Sequence, residues 1–132
     1  MQDGHTRKIN RSELKGQIFL KRFRVTLVVV QGPESGTEHV LDRDQVTLGR
    51  GPDADICFDD SAMSKQHAAL EITPEGYRVR DMGSTNGTSV NGSQVVAADL
   101  KHGDRIGLGD HTLQYLAERS ERVATYDLSE EM

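Results

Sequence analysis

Tryptophan is absent, and three tyrosines and three phenylalanines bring aromatic residues to only 5% of the 132 positions. So few rings cannot line a large aromatic cofactor pocket, and a core must lean on Val, Ile and Leu, which suit pleated strands. Cys57 is the only cysteine, which excludes an internal disulfide and a cysteine-built zinc cluster and fits a reducing compartment. No long apolar run exists: Val25 to Val30 is interrupted by Thr26 and is far too short to span a bilayer. The N-terminus lacks the apolar stretch of a secretory signal, so the expected location is cytoplasmic, away from any membrane. Asn-x-Ser/Thr matches at Asn10, Asn86 and Asn91 then read as chance or as turns.

What is present fits one globular domain with short flanks: 35% hydrophobic and 28% charged residues in a length typical of a single domain. Charge is unevenly spread. Residues 1–24 hold seven basic side chains (Arg7, Lys8, Arg11, Lys15, Lys21, Arg22, Arg24) against Asp3 and Glu13, a net +5, which leaves −10 for the rest to reach the overall −5. A basic arm on an acidic body reads as a solvated flexible segment. Nucleic-acid binding is disfavoured, because a body at −10 repels phosphate backbones and no aromatic platform accompanies the arm.

From Phe23 onward, short β-rich runs alternate with turn residues. Phe23–Val30 precedes Gly32-Pro33; Thr37–Leu41 and Gln45–Leu48 flank Asp42-Arg43-Asp44; Asp55–Phe58 follows Gly51-Pro52-Asp53. His67–Thr73 and Tyr77–Arg80 alternate apolar and polar positions around Pro74-Glu75-Gly76, and Val95-Val96, Arg105–Leu108 and Thr112–Leu116 complete the series. Runs at such spacing predict an all-β sandwich or barrel. Asn86-Gly87 and Asn91-Gly92 are hairpin signals, since both central positions of that turn need positive φ. No segment before residue 117 shows a helical period, and the first ~20 residues read as irregular.

Three clusters fall in expected loops: Gly49-Arg50, Ser64-Lys65-Gln66-His67, and Gly83-Ser84-Thr85-Asn86-Gly87-Thr88. Loops at one end of a sandwich converge, so distant segments can build one site. Their shared chemistry is recognition of anions and amides. Arg50 offers a planar fork of donors for two phosphate oxygens. Ser64 and Thr85 add hydroxyls, Lys65 a mobile charge, and Asn86 a carbonyl beside an amide that can pair with peptide backbone.

Gly49-Arg50, Ser64-x-x-His67 and Gly83-Ser84-Thr85-Asn86-Gly87-Thr88 with Asn91-Gly92, in this order and spacing, resemble the forkhead-associated (FHA) domain family over about Val25 to Leu116. The resemblance implies a β-sandwich of about eleven strands that binds phosphothreonine peptides through loops at one end. Carried over by position, Arg50 and Ser64 hold the phosphate, Lys65 and Thr85 assist, and Asn86 binds peptide backbone. Gly49, His67 and Gly87 support the site, with His67 bracing the loop from inside. The expected boundaries are 1–22 for a basic flexible arm, 23–117 for the FHA domain and 118–132 for an acidic tail. Ala62, Met63 and Ser84 are expected to tune preference around the phosphothreonine. The implied partners are phosphothreonine-containing proteins and a Ser/Thr kinase. Family members commonly read the third residue after the phosphothreonine; Thr6 precedes Ile9 and Thr125 precedes Leu128 at that offset, so the protein's own flanks are candidate ligands.

Other chemistries fit worse. A triad of Ser64, His67 and an aspartate lacks the Gly-x-Ser-x-Gly elbow, so no catalytic residue is assigned. The acidic stretch Asp53–Asp60 fails the calcium-loop pattern, with Phe58 at the position that needs glycine, so no metal is assigned. The glycines of residues 83–92 lack the Gly-Lys-Ser/Thr of a nucleotide loop, and no cofactor is expected. The alternatives are a regulatory piece of a larger transcription factor or signalling enzyme, and an interaction module that works without phosphate.

Overall fold

The computed structural model describes residues 11–120. A helix, α1 (Arg11–Arg22), leads directly into eleven strands: β1 (Phe23–Gln31), β2 (Glu38–Leu41), β3 (Gln45–Gly49), β4 (Ile56–Cys57), β5 (Ala68–Thr73), β6 (Gly76–Asp81), β7 (Thr88–Val90), β8 (Ser93–Val95), β9 (Ala97–Asp99), β10 (Arg105–Leu108) and β11 (His111–Arg119). They form a six-stranded sheet, β2-β1-β11-β10-β7-β8, and a five-stranded sheet, β4-β3-β5-β6-β9. The expected all-β sandwich is observed, and all pairings are antiparallel except β3 with β4.

Period-two alternation builds the core. Val25, Leu27 and Val29 of β1 face Leu48 and Leu70 of the other sheet's strands in one buried cluster, with Val79, Ile106, Leu108 and Leu113. Two tyrosines are the largest members, and their polar ends are satisfied: Tyr77 donates its hydroxyl to the Arg43 carbonyl, and the Tyr115 hydroxyl accepts the Tyr77 amide.

Residues 11–22 show no helical period in the sequence, yet they form α1. Its inward face is Gly16, Phe19 and Leu20, an i, i+3, i+4 set whose first member is a glycine and therefore invisible to an apolar period. Gly16 is needed for close approach, because a Cβ there would lie 2.8 Å from Ile72 Cγ1. Phe19 stacks on Phe23 at 4.5 Å between ring centroids, tying the helix to the first strand. The three-residue strands β7 and β9 are likewise unmarked in the sequence, being too short to show alternation.

Register decides where the loops gather. Leu48 pairs with Ala68 and Ala68 with Asp81, while Leu108 pairs with Thr88 and with His111, and Gln31 with Thr112. The β3–β4, β4–β5, β6–β7 and β10–β11 connections thus emerge at one end. At the other end Phe23 pairs with Arg119 and the Ser120 amide donates to the Arg22 carbonyl at 2.8 Å, so the chain enters and leaves β1–β11 side by side.

Candidate functional site

Two of the clusters are zipped backbone to backbone. The amides of Arg50, Gly51 and His67 donate to the carbonyls of Ser64, Lys65 and Leu48 at 3.0, 3.1 and 2.8 Å. The approach is close enough that only glycine fits at position 49. His67, wholly buried, ties in the third cluster: its Nδ1 accepts the Ser64 amide at 3.0 Å, and its Nε2 faces the Gly87 carbonyl at 2.8 Å. Because Nδ1 accepts, the proton sits on Nε2, which donates to Gly87.

Above this frame the five expected ligand residues meet. A cavity of about 410 Å³ is lined by Arg50, Ser61, Ala62, Met63, Ser64, Lys65, Thr85 and Asn86. Arg50 donates from Nε to the Met63 carbonyl at 3.0 Å, and its two terminal nitrogens make no hydrogen bond or ion pair among the described residues. The Ser64 hydroxyl oxygen accepts the Thr85 amide at 3.0 Å, which leaves its own hydrogen available to donate. Asn86 donates from Nδ2 to the Ala62 carbonyl at 2.8 Å, and its side-chain carbonyl has no donor among the described residues. The lining holds two cations and no carboxylate, although the body as a whole is acidic. A larger trough of about 530 Å³ lies beside it and shares Asn86, but its lining has no lysine or arginine, so the smaller cavity is the one suited to an anion.

Three expectations need correction. Asn86-Gly87 is not a hairpin of the Asn-Gly type: Gly87 has φ 86°, but Asn91 is the one non-glycine residue with positive φ among those described. Only Asn91-Gly92 (φ 52° and 87°) turns β7 into β8, whereas Asn86 is free to reach across to Ala62. Met63 is 1% exposed, so it offers the cavity its carbonyl rather than its side chain. Ser84 turns inward, accepting the Gly87 amide and donating to Asp81.

Asp81 was missed by sequence reasoning, since a lone aspartate at a strand end carries no signal. Its Oδ2 accepts the Gly83 and Ser84 amides at 3.0 Å each, and Oδ1 accepts the Ser84 and Thr88 hydroxyls at 2.5 and 2.7 Å. Burial pushes the Asp81 carboxyl up, but these hydrogen bonds outweigh it and hold the group below the usual carboxylate range. A depressed carboxyl stabilises the fold above its unfolded pKa and loses that contribution as pH falls through the folded value. Asp81→Asn is therefore expected to lower stability by about 1–2 kcal/mol at pH 7. In denaturant unfolding the gap to the unaltered protein should close below about pH 4; a gap independent of pH would show that the charge is irrelevant.

The triad geometry is not formed. His67 accepts the Ser64 backbone amide rather than its hydroxyl, and that hydroxyl faces Thr85. In the acidic stretch, Asp55 is taken by Thr47 and Arg43, and Asp60 by His111.

The FHA domain family model matches residues 46–109, the span from β3 to the β10–β11 turn that holds every site cluster. A solved structure from a study of phosphothreonine-dependent FHA domain interactions is 31% identical, with a TM-score of 0.65 over 70% of this chain and 95% of that one. The chain belongs to the FHA domain family. Glycogen accumulation regulator GarA of Mycolicibacterium smegmatis is 40% identical over 90 residues, covering 68% of this chain and 57% of that protein. The oxoglutarate dehydrogenase inhibitor of Corynebacterium jeikeium is likewise 40% identical, covering 68% and 62%. This FHA chain thus spans less than two thirds of the length of either curated relative. No helix among its described residues is long and apolar enough to cross a membrane.

Proposed function

We propose that this FHA domain is a phosphothreonine-peptide-binding module, not an enzyme, acting as an adaptor in Ser/Thr kinase signalling. The observation that carries the reading is the cavity at the loop end, where Arg50, Ser64, Lys65, Thr85 and Asn86 converge with donors to offer and no carboxylate among them. A phosphothreonine brings roughly −1.5 to −2 charge and three acceptor oxygens. Arg50 takes two of those oxygens through its terminal nitrogens, Ser64 donates its hydroxyl, and Lys65 and Thr85 close the shell. The Asn86 side-chain carbonyl and amide bind the peptide backbone. Gly49, His67 and Gly87 keep the three loops in register. A single carboxylate has less charge and another oxygen geometry, so acidic mimics substitute poorly.

The study behind the solved relative concerns phosphothreonine-dependent interactions, and the curated relatives are named as a regulator and an inhibitor, which supports a regulatory adaptor. The proposed binding unit is 23–117, with flanks 1–22 and 118–132, of which α1 packs on the sandwich through Gly16 and Phe19 and residues 118–119 complete β11. Thr6 and Thr125 lie outside the described residues, and either, once phosphorylated, is a proposed ligand for the site.

The deciding experiment is a phosphothreonine-peptide library screened against the purified protein beside its unphosphorylated counterpart. Selective capture of the phosphorylated set supports the reading; equal capture favours a phosphate-independent module. The ligand's own titration gives a second expected outcome. The phosphate's second pKa is about 6, so calorimetry should show affinity falling below that pH. Flat affinity between about pH 7 and 5 would mean that the monoanion binds as well, against the mechanism.

A further inference from the structure

The carbonyls that hold Arg50 and Asn86 belong to Met63 and Ala62, and both residues hang from one buried aspartate. Asp60 Oδ1 accepts the Ala62 amide at 2.9 Å, and the Met63 amide donates to the Asp60 carbonyl at 3.0 Å. The other carboxylate oxygen, Oδ2, accepts the Asp110 amide at 2.8 Å and lies 2.7 Å from His111 Nδ1. Across the same ring, Nε2 lies 2.7 Å from Glu34 Oε1. The His111 side chain is 0% exposed and that of Asp60 1%, while Glu34, at 38%, reaches solvent.

A neutral imidazole has one N–H and one lone pair. Between two carboxylates it would set that lone pair against an anion, so the geometry calls for the imidazolium, with both nitrogens donating. Phe58 packs on the ring at 4.9 Å between centroids, and a Cβ on Gly32 would come within 2.7 Å of His111 Cδ2, so ring and backbone shield it. The ionisable groups facing His111 are Glu34 from the β1–β2 turn and Asp60 from the β4–β5 connection. Asp110 contributes its amide to Asp60, and His39 packs edge-on against Phe58 instead.

We propose that the Glu34–His111–Asp60 chain is a positioning element of the phosphopeptide site, holding Ala62 and Met63, and through them Asn86 and Arg50, in the receptive arrangement only while His111 keeps its second proton. This rests on the reading of that site given above. Burial on its own disfavours the cation, but the hydrogen bonds to Asp60 and Glu34, with their charges, outweigh it and raise the His111 pKa. A raised pKa stabilises the fold fully below the unfolded value near 6.5 and ceases to do so as pH rises through the folded value. The element therefore lets go on the alkaline side, whereas the ligand's own titration weakens binding on the acid side. Between them they define a window of pH for capture.

The test follows the 15N-labelled protein by NMR from pH 6 to about 9.5, beside calorimetry with a phosphothreonine peptide. Both ring nitrogens of His111 should be protonated at about pH 7. The amide signals of Ala62 and Met63 and the side-chain amide of Asn86 should move with the ring's titration. Affinity should fall about tenfold over the same interval, equivalent to losing one charged hydrogen bond. Glu34→Gln keeps the shape but removes one of the two anions, so it should move both the ring titration and the alkaline limb of binding to lower pH. A residue that merely packs would move neither. A ring already neutral at pH 7, Ala62 and Met63 signals indifferent to its titration, or a Glu34→Gln profile superimposable on the unaltered one overturns the proposal. If the signals track the ring but no phosphopeptide binds at any pH, the hold on residues 60–63 is confirmed and the phosphopeptide reading fails instead.

Discussion

Arg50→Ala is expected to weaken phosphothreonine-peptide binding by about 30-fold at least, while the protein still melts cooperatively near its original temperature. Removing one partner of a charged, hydrogen-bonded interface pair costs about 2–5 kcal/mol, and each 1.4 kcal/mol is tenfold. The expected size follows from how the side chain is held. Its Nε is already committed to the Met63 carbonyl, so the guanidinium is aimed before ligand arrives and little ordering remains to be done on binding. The side chain is exposed and, among the described residues, hydrogen-bonds that one carbonyl alone, so the fold loses little with it. Arg50→Lys should recover only part of the affinity, because a point charge cannot reproduce the fork. Calorimetry with paired phosphorylated and unphosphorylated peptides, beside a thermal melt, makes the check. Unchanged affinity in a folded Arg50→Ala protein would remove the site from this cavity.

Gly49→Ala is expected to damage the fold itself, through one methyl group. A Cβ at position 49 would lie 2.0 Å from the Lys65 carbonyl oxygen, 2.7 Å from its carbon and 3.1 Å from the Ser64 oxygen. All three are backbone atoms, so no side chain can step aside. The two segments must part, and the bonds from Arg50 to Ser64, from Gly51 to Lys65 and from Phe58 to Gly49 lengthen with them. Overpacking of this kind costs about 3 kcal/mol or more, or roughly 12 °C in melting temperature for a domain of this size. Gly83→Ala is the useful contrast. It meets no atom within 4 Å, and its cost arises only from φ +73°, so it should lose about 1–2 kcal/mol. A Gly49→Ala protein as stable as the Gly83→Ala protein would show that the backbone approach is looser than described.

Much of this was legible in the residues alone, for reasons that also mark the limit. Alternation in His67–Thr73 and Tyr77–Arg80 marks strands because one face must be apolar, and the candidate-site clusters are readable because each sits whole within a few residues at a strand end. What stayed hidden depends on who meets whom. The inner face of α1 begins with Gly16, whose contribution is the absence of a side chain. Asn86 reads as a hairpin residue until the register shows Ala62 across from it. Met63 looks available in the sequence, yet the strand-to-loop geometry turns it into the core. Asp60 and His111 stand 51 positions apart, and no local pattern foretells that they share a proton.

The side-by-side entry and exit of the chain sets a limit on tethered ligands. Ser120 is bonded to Arg22 at the end of β1 remote from the loops. The nine residues of β1 put roughly 26 Å between that end and the site. Thr125 lies five steps along the chain from Ser120, and a fully extended chain covers at most about 17 Å in five steps. Were Thr125 phosphorylated, five extended steps and the side chain that carries the phosphate would still leave it short of the cavity of its own chain, so the proposed self-recognition through this tail would take place between chains. Such docking would close as a reciprocal dimer where two molecules trade tails, and would run on as rings or chains where each offers its tail to the next.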